Sequence, residues 1–170
     1  MMTRLRAGLA FLLALAALAA LPGAAAAQTH PPDIESRLAK SVGDWTIPGQ
    51  EKTYRETCEW YGARAFVACE FEDKSDGSMG RSILGYSKAK GRFTYQNYTG
   101  AGTSRHELGF PHGTSGIVYT DERDSAEGLA RVSTFLEPQA DGRLRFRQER
   151  SVKGGPWVQT VDFFYVPRKP

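Results

Sequence analysis

The sequence predicts an all-β protein: an antiparallel up-and-down β-barrel of about 8–10 strands behind one short N-terminal helix. Three observations carry this. Short runs rich in Val, Ile, Tyr, Phe, Trp and Thr recur along residues 43–166, separated by Gly-, Pro- and Asp-containing turn signals at the spacing of a meander. No stretch after Val42 reads as a crossover helix, so successive strands are expected to be antiparallel. Consecutive strands in that number must close into a barrel or split into a sandwich to remove open edges. Several strands carry aromatic and polar residues on both faces, as in Phe93-Thr94-Tyr95-Gln96-Asn97-Tyr98. A barrel with a partly polar lumen reads this way, and so does a poorly amphipathic sandwich; alternation does not separate them.

Residues 1–27 read as a secretory signal. Arg4 and Arg6 precede an uncharged apolar run, Ala7 to Leu21, then Pro22-Gly23 and the small residues Ala25-Ala26-Ala27. The run is shorter than the roughly 20 residues a spanning helix needs. The arginines are not adjacent, so a twin-arginine signal is not expected. No cysteine lies near the cleavage point, which argues against a lipid anchor. The expected mature chain is exported, periplasmic or secreted, with no membrane span. Loss of Arg4 and Arg6 takes the formal charge from +3 to +1. A chain so near neutrality has no electrostatic case for nucleic acid or an anionic membrane surface.

Residues 28–32 form a polar, Pro-rich leader, and 33–170 fit one domain. Asp33 is placed to cap a helix running to about Ser41, with Ile34, Leu38 and Val42 on one face. Strands are then expected over Gly43–Gln50 (ended or interrupted by Pro48-Gly49), Tyr54–Tyr61, Ala65–Glu72, Arg81–Ser87, Phe93–Tyr98, Ser104–Phe110, Ile117–Asp121, Leu129–Leu136, Arg143–Arg150 and Trp157–Val166. In the ninth, Leu144 and Phe146 ask for burial, so Arg143, Arg145 and Arg147 should face solvent.

Cys58 and Cys69 are the only cysteines. With Gly62-Ala63-Arg64 as the turn, Gly62 faces Ala65, Trp60 faces Val67, and Cys58 faces Cys69. An exported pair in that register is expected to form a disulfide. Two buried free thiols are the alternative reading; the spacing does not suit a C-x-x-C redox pair, and a two-ligand metal site lacks a nearby histidine.

A short helix followed at once by Gly43-Asp44-Trp45 resembles the opening of the calycin barrels: lipocalins, fatty-acid-binding proteins and nitrobindin-like haem barrels, whose signature is Gly-x-Trp. Cys58-Glu59-Trp60-Tyr61, Phe66-Val67-Ala68-Cys69, Ile83-Leu84-Gly85-Tyr86 and Gly91-Arg92-Phe93-Thr94-Tyr95 are similar to stretches of exported bacterial lipocalin-like proteins. The resemblance covers residues 34–98 well and the second half loosely. It implies that Gly43 and Trp45 seal one barrel end. It also implies that Arg168, just past the last strand, stacks on the indole. A solvated tail is the plainer reading of Arg168.

Catalytic signatures are missing from the sequence: no G-x-S-x-G elbow, H-E-x-x-H helix or phosphate-cradling glycine loop occurs. His106 and His112 are the remaining metal or haem candidates. The C-terminal strand, where nitrobindin-like barrels place their haem ligand, has no histidine, so a surface role suits both better and no cofactor is expected. The acidic groups Glu70, Glu72, Asp73 and Asp121, Glu122, Asp124 lack an EF-hand layout and read as solvated loop charges. The leading expectation is a binding barrel for a small hydrophobic or amphipathic ligand, with no catalysis. Trp60, Phe71, Tyr86, Tyr95, Tyr119 and Phe135 are its candidate contacts. The alternatives are an inhibitor or interaction protein that meets a protein partner through its loops, and a nitrobindin-like haem barrel. An open apolar cavity of several hundred Å³ would favour the first, and a filled lumen the second.

Overall fold

The structure, a computed structural model, describes residues 32–169. The expected signal over 1–27 and leader residues 28–31 lie outside the described residues. One helix, α1 (Pro32–Ala39), precedes ten strands: β1 (Gly43–Thr46), β2 (Tyr54–Tyr61), β3 (Phe66–Asp73), β4 (Ser78–Ser87), β5 (Arg92–Thr99), β6 (Ser104–His112), β7 (Gly116–Arg123), β8 (Ala130–Pro138), β9 (Leu144–Val152) and β10 (Val158–Pro167). Each strand pairs antiparallel with its neighbour, and the sheet closes in the order β1-β10-β9-β8-β7-β6-β5-β4-β3-β2. This is the expected barrel. The sandwich falls because Trp45 of β1 stands opposite Glu56 of β2 on one side and Pro167 of β10 on the other.

The closing seam is short. Trp45 and Thr46 pair with Pro167 and Val166, and the Arg168 N–H donates to the Asp44 carbonyl at 2.8 Å. β1 ends at Thr46, before the expected Gln50. The Gln50 N–H turns back to the Ile47 carbonyl at 2.8 Å, and Gly49 takes φ +82°. β4 begins at Ser78, ahead of the expected Arg81, because the left-handed Gly77 completes the turn that lets Ser78 pair with Asp73.

The helix starts at Pro32 rather than being capped by Asp33, since a proline at the first helical position gives up only an N–H with no helical partner. Ile34 and Leu38 are buried in one core cluster with Val67, Leu84, Phe93, Ile117 and Leu136 of the lumen. One ion pair and one set of guanidinium-to-carbonyl hydrogen bonds fix α1 across that end. Glu35 meets Arg64 of the β2–β3 turn at 2.8 Å. Arg37 donates to the carbonyls of Gly116, Gly113 and His112 at 2.6, 3.2 and 3.3 Å around the β6–β7 turn. The helix therefore plugs the end that carries these turns.

Glycines opposite aromatic rings allow close packing in several places. Phe71 pairs with Gly80, Phe66 with Gly85, and Tyr119 with Gly109. A Cβ on these glycines would lie 2.5–2.7 Å from the opposing ring. Each ring lies flat over a bare backbone, a device that stiffens glycine-bearing strands. Gly43 does the same for Trp45, whose indole passes 3.3 Å from where a Cβ would stand.

The outer wall is charged. Arg145 grips Asp162 through two nitrogens at 2.8 and 2.6 Å, Arg147 pairs with Glu149 and Glu137, Arg81 with Glu70, and Arg131 with Glu122. The arginine stripe of β9 faces out, as expected, and each of its members is paired. No helix among the described residues is long and apolar enough to cross a membrane.

Candidate functional site

Alternation along each strand decides which side chains enter the lumen. On β2 it sends Tyr54, Glu56, Cys58 and Trp60 to one face. Their cross-strand partners Phe71, Cys69 and Val67, and beyond them Ser82, Leu84 and Tyr95, share it. Cys58 and Cys69 stand opposite each other and are joined as a disulfide, in the register read from the sequence. Both are buried, so the bridge forms part of the lumen wall.

Against this wall lies a small cavity of about 40 Å³. It runs from Ser41 and Trp45 near the plugged end past Leu136, Leu144 and Phe146 to Glu56, Tyr95, Tyr119, Thr134 and Tyr165. One water occupies about 10–15 Å³ of such space, so a few heavy atoms fit. Drug-sized ligands take roughly 300–1,000 Å³. Neither a long acyl chain nor a haem fits this lumen, and the residues present do not suit a nitrobindin-like haem site.

The cavity is nonetheless polar in a way a plain core is not. The Tyr54 hydroxyl donates to Glu56 Oε2 at 2.9 Å and lies 3.5 Å from the Tyr165 hydroxyl. Glu56 has no ion pair among the described residues. Burial drives its carboxyl above the ordinary range, and the hydrogen bonds from Tyr54 and Tyr165 only partly oppose this. Burial also pushes the Tyr54, Tyr95, Tyr119 and Tyr165 phenols up, so all four stay protonated donors. The Tyr119 hydroxyl is buried without a hydrogen-bond partner, and the residue is 1% exposed. A second acid, Glu107 (2% exposed), takes Arg123 at 3.3 Å on one oxygen and leaves Oε2 unpartnered. Orphaned buried groups cost about 1–3 kcal/mol each and call for water or a ligand.

The expected contact residues divide. Tyr95 and Tyr119 line the cavity with ring centroids 5.4 Å apart. Tyr86 lies on the lumen face and packs edge-on to Phe93 at 5.4 Å, away from the cavity lining. Trp60 and Phe71 sit at the two ends of the hairpin on the lumen-side register and border an outer groove. Phe135 is a correction: Leu136 takes the inward position on β8, so Phe135 faces out, under the Arg147 guanidinium at 3.8 Å and against His112 at 5.1 Å. Arg168 is exposed, and its described contact is the backbone bond to Asp44. Among the described residues the guanidinium–ring pairs involve Arg64, Arg92, Arg143, Arg145 and Arg147, while Trp45 Nε1 donates to the Ser41 carbonyl at 2.9 Å.

His112 Nε2 lies 3.2 Å from Glu137 on the outer wall. His106 is exposed beside Trp157 in a shallow outer groove. The potential ligand atoms of Glu56, Cys58 and Cys69 cluster within 4.8 Å, but both sulfurs are committed to each other. Five of the six acids expected in loops lie instead on strands, Glu70, Glu72 and Asp73 on β3 and Asp121 and Glu122 on β7, and three of them are ion-paired: Glu70 with Arg81, Asp121 with Arg123, Glu122 with Arg131.

Sequence reasoning missed Glu56, Tyr54, Tyr165, Ser82 and Thr134 as site residues. The available signal was parity: Tyr54, Glu56 and Cys58 share one face once Cys58 is placed inside. No protein-family model and no curated protein matches this chain.

Proposed function

We propose that this protein is a non-catalytic, calycin-type binding barrel, exported to the periplasm or secreted through the signal read in residues 1–27. Its ligand seat is the small lumen cavity around Glu56. The observation that carries this is a carboxylic acid held inside a closed barrel by tyrosine hydroxyls, without a basic partner. A lumen selected only for stability would hold apolar side chains there, because a buried carboxyl costs more than it returns. The ligand is amphipathic and only a few heavy atoms in size. Solution NMR tests this with a panel of small solutes. Saturable shifts confined to the Trp45 indole and the Tyr95, Tyr119 and Tyr165 rings support it. Shifts confined to the outer wall, or none, overturn it.

A second reading, a protein-interaction role, is favoured by one separate feature. An open groove of about 920 Å³ crosses the outside of β2–β5, and Tyr61, Met79 and Tyr98 line it at 67, 56 and 48% exposure. Aromatic and Met side chains are enriched at interfaces. Here Met79→Asp would abolish partner binding while leaving the lumen shifts intact.

A further inference from the structure

We propose that the lumen cavity is a site for a small primary ammonium ion, of the size of ammonium or methylammonium. This deepens the ligand reading above and rests on it. One carboxyl and five aromatic rings line the same half-open lumen cavity: Glu56 with Trp45, Tyr95, Tyr119, Phe146 and Tyr165. Ring faces carry negative quadrupoles that attract a cation, and the attraction strengthens when water is excluded. A carboxylate supplies the full countercharge and accepts N–H hydrogen bonds. Phenol oxygens can accept the remaining ammonium protons, and the Tyr119 oxygen is buried with no partner of its own. Size adds the restriction: about 40 Å³ admits a few heavy atoms and excludes a quaternary ammonium carrying four methyl groups.

The same groups fix how charge balances. The titratable neighbours of Glu56 are Tyr54 on its own strand, Tyr165 from β10 and Tyr95 from β5. From β1 and β3 its facing residues are Trp45 and Phe71, and from β4 Ser82 lines the same wall. The next acid, Glu107 of β6, lies beyond Tyr95 and is held by Arg123. No cation from any of these strands pairs with Glu56 among the described residues. With burial opposing its charge and no basic partner beside it, the Glu56 carboxyl holds its proton more tightly than a carboxyl in water. An alkylammonium entering from water needs the carboxylate. The carboxyl O–H bond breaks, its proton leaves to solvent, and the ammonium keeps its own protons. Binding is thus coupled to proton release.

The experiment is calorimetric titration of the disulfide-intact protein with methylammonium chloride in buffers of different ionisation enthalpy, with sodium chloride at equal ionic strength as the reference. The expected result, followed at a series of pH values upward from about 4.5, is saturable binding that releases up to about one proton per ligand where Glu56 is protonated and fewer as pH passes its raised folded value. The Trp45 indole N–H resonance should shift in parallel, and tetramethylammonium should have no effect. Glu56→Gln should weaken binding at least about tenfold. A response no different from sodium chloride, binding without proton release at every pH of the series, or undiminished affinity in Glu56→Gln overturns the ammonium assignment. Should that variant fail to fold, the proton count on the unaltered protein decides alone. Ethanol separates the two levels of the argument. If ethanol perturbs the lumen resonances and methylammonium does not, the ammonium assignment falls and the lumen site stands. If neither perturbs them, both fall.

Discussion

Gly109 shows how little room single residues have in this lumen. A Cβ there would stand 2.7 Å from the Tyr119 ring and 3.0 Å from the Val118 carbonyl. Tyr119 is fully buried and borders the cavity, so its ring has nowhere to retreat except into that space. Gly109→Ala should cost about 1–3 kcal/mol, the usual range for overpacking, and should alter the near-ultraviolet circular dichroism of the tyrosines. Urea denaturation of the two proteins checks the magnitude. At Gly43 a positive φ of 148° combines with the indole 3.3 Å away. The Gly-x-Trp signature thus has a local cause: the glycine is bare so that the tryptophan can fold back over it and bond to Ser41.

The hairpin of β2 and β3 and the plugging helix are the elements that shape the site. The disulfide joins partners in directly opposing register, so it locks a pairing that the strands already make. Its loop is short, and the entropic contribution is about 3 kcal/mol at most. Replacing both cysteines by alanine should lower stability by up to that amount without changing the register, as cross-strand NMR contacts on β2 and β3 would show. A register slip would instead mean that the bridge sets the pairing. The helix depends on Arg37, whose three carbonyl acceptors lie around the β6–β7 turn. Hydrogen bonds to a charged group contribute about 1.5–3 kcal/mol. Arg37→Ala should loosen the plug before the barrel unfolds. Hydrogen exchange would then rise in α1 and residues 112–116 and stay unchanged in β8 and β9.

For the whole molecule, the buried acids set the pH response. Glu56 and Glu107 both hold their protons more tightly in the folded chain than in the unfolded one, with burial as the main cause. Stability from such a group is fully present below its unfolded value near 4.5 and is lost as pH rises through the higher folded value. Surface acids such as Asp162, lowered by its bond to Arg145, act in the opposite sense and cancel when two variants are compared. Glu56→Gln stays neutral throughout. Its stability relative to the unaltered protein should therefore grow as pH rises above about 4.5 and level off once pH passes the raised folded value, as denaturant titrations at each pH would measure. A constant difference would show that Glu56 is not buried as a neutral acid.

Much of this architecture was written in local chemistry. The turn glycines, the alternation of Leu144 and Phe146 with three arginines, and the two cysteines at matched distances from the two ends of the 62–65 turn act between neighbours in the chain. They therefore fixed the strands, the outward arginine stripe and the disulfide register by sequence alone. Phe135 was misplaced because its neighbour Leu136 is equally apolar, and only the pairing of β8 with β7 and β9 settles which faces in. Glu56 was invisible for a deeper reason. An acid between Arg55 and Thr57 looks solvated until β10 and β5 arrive from more than a hundred and about forty residues away to enclose it. Closure and the volume left inside are properties of the whole ring of strands, so only the tertiary structure decided how small the lumen is and which polar groups are shut within it.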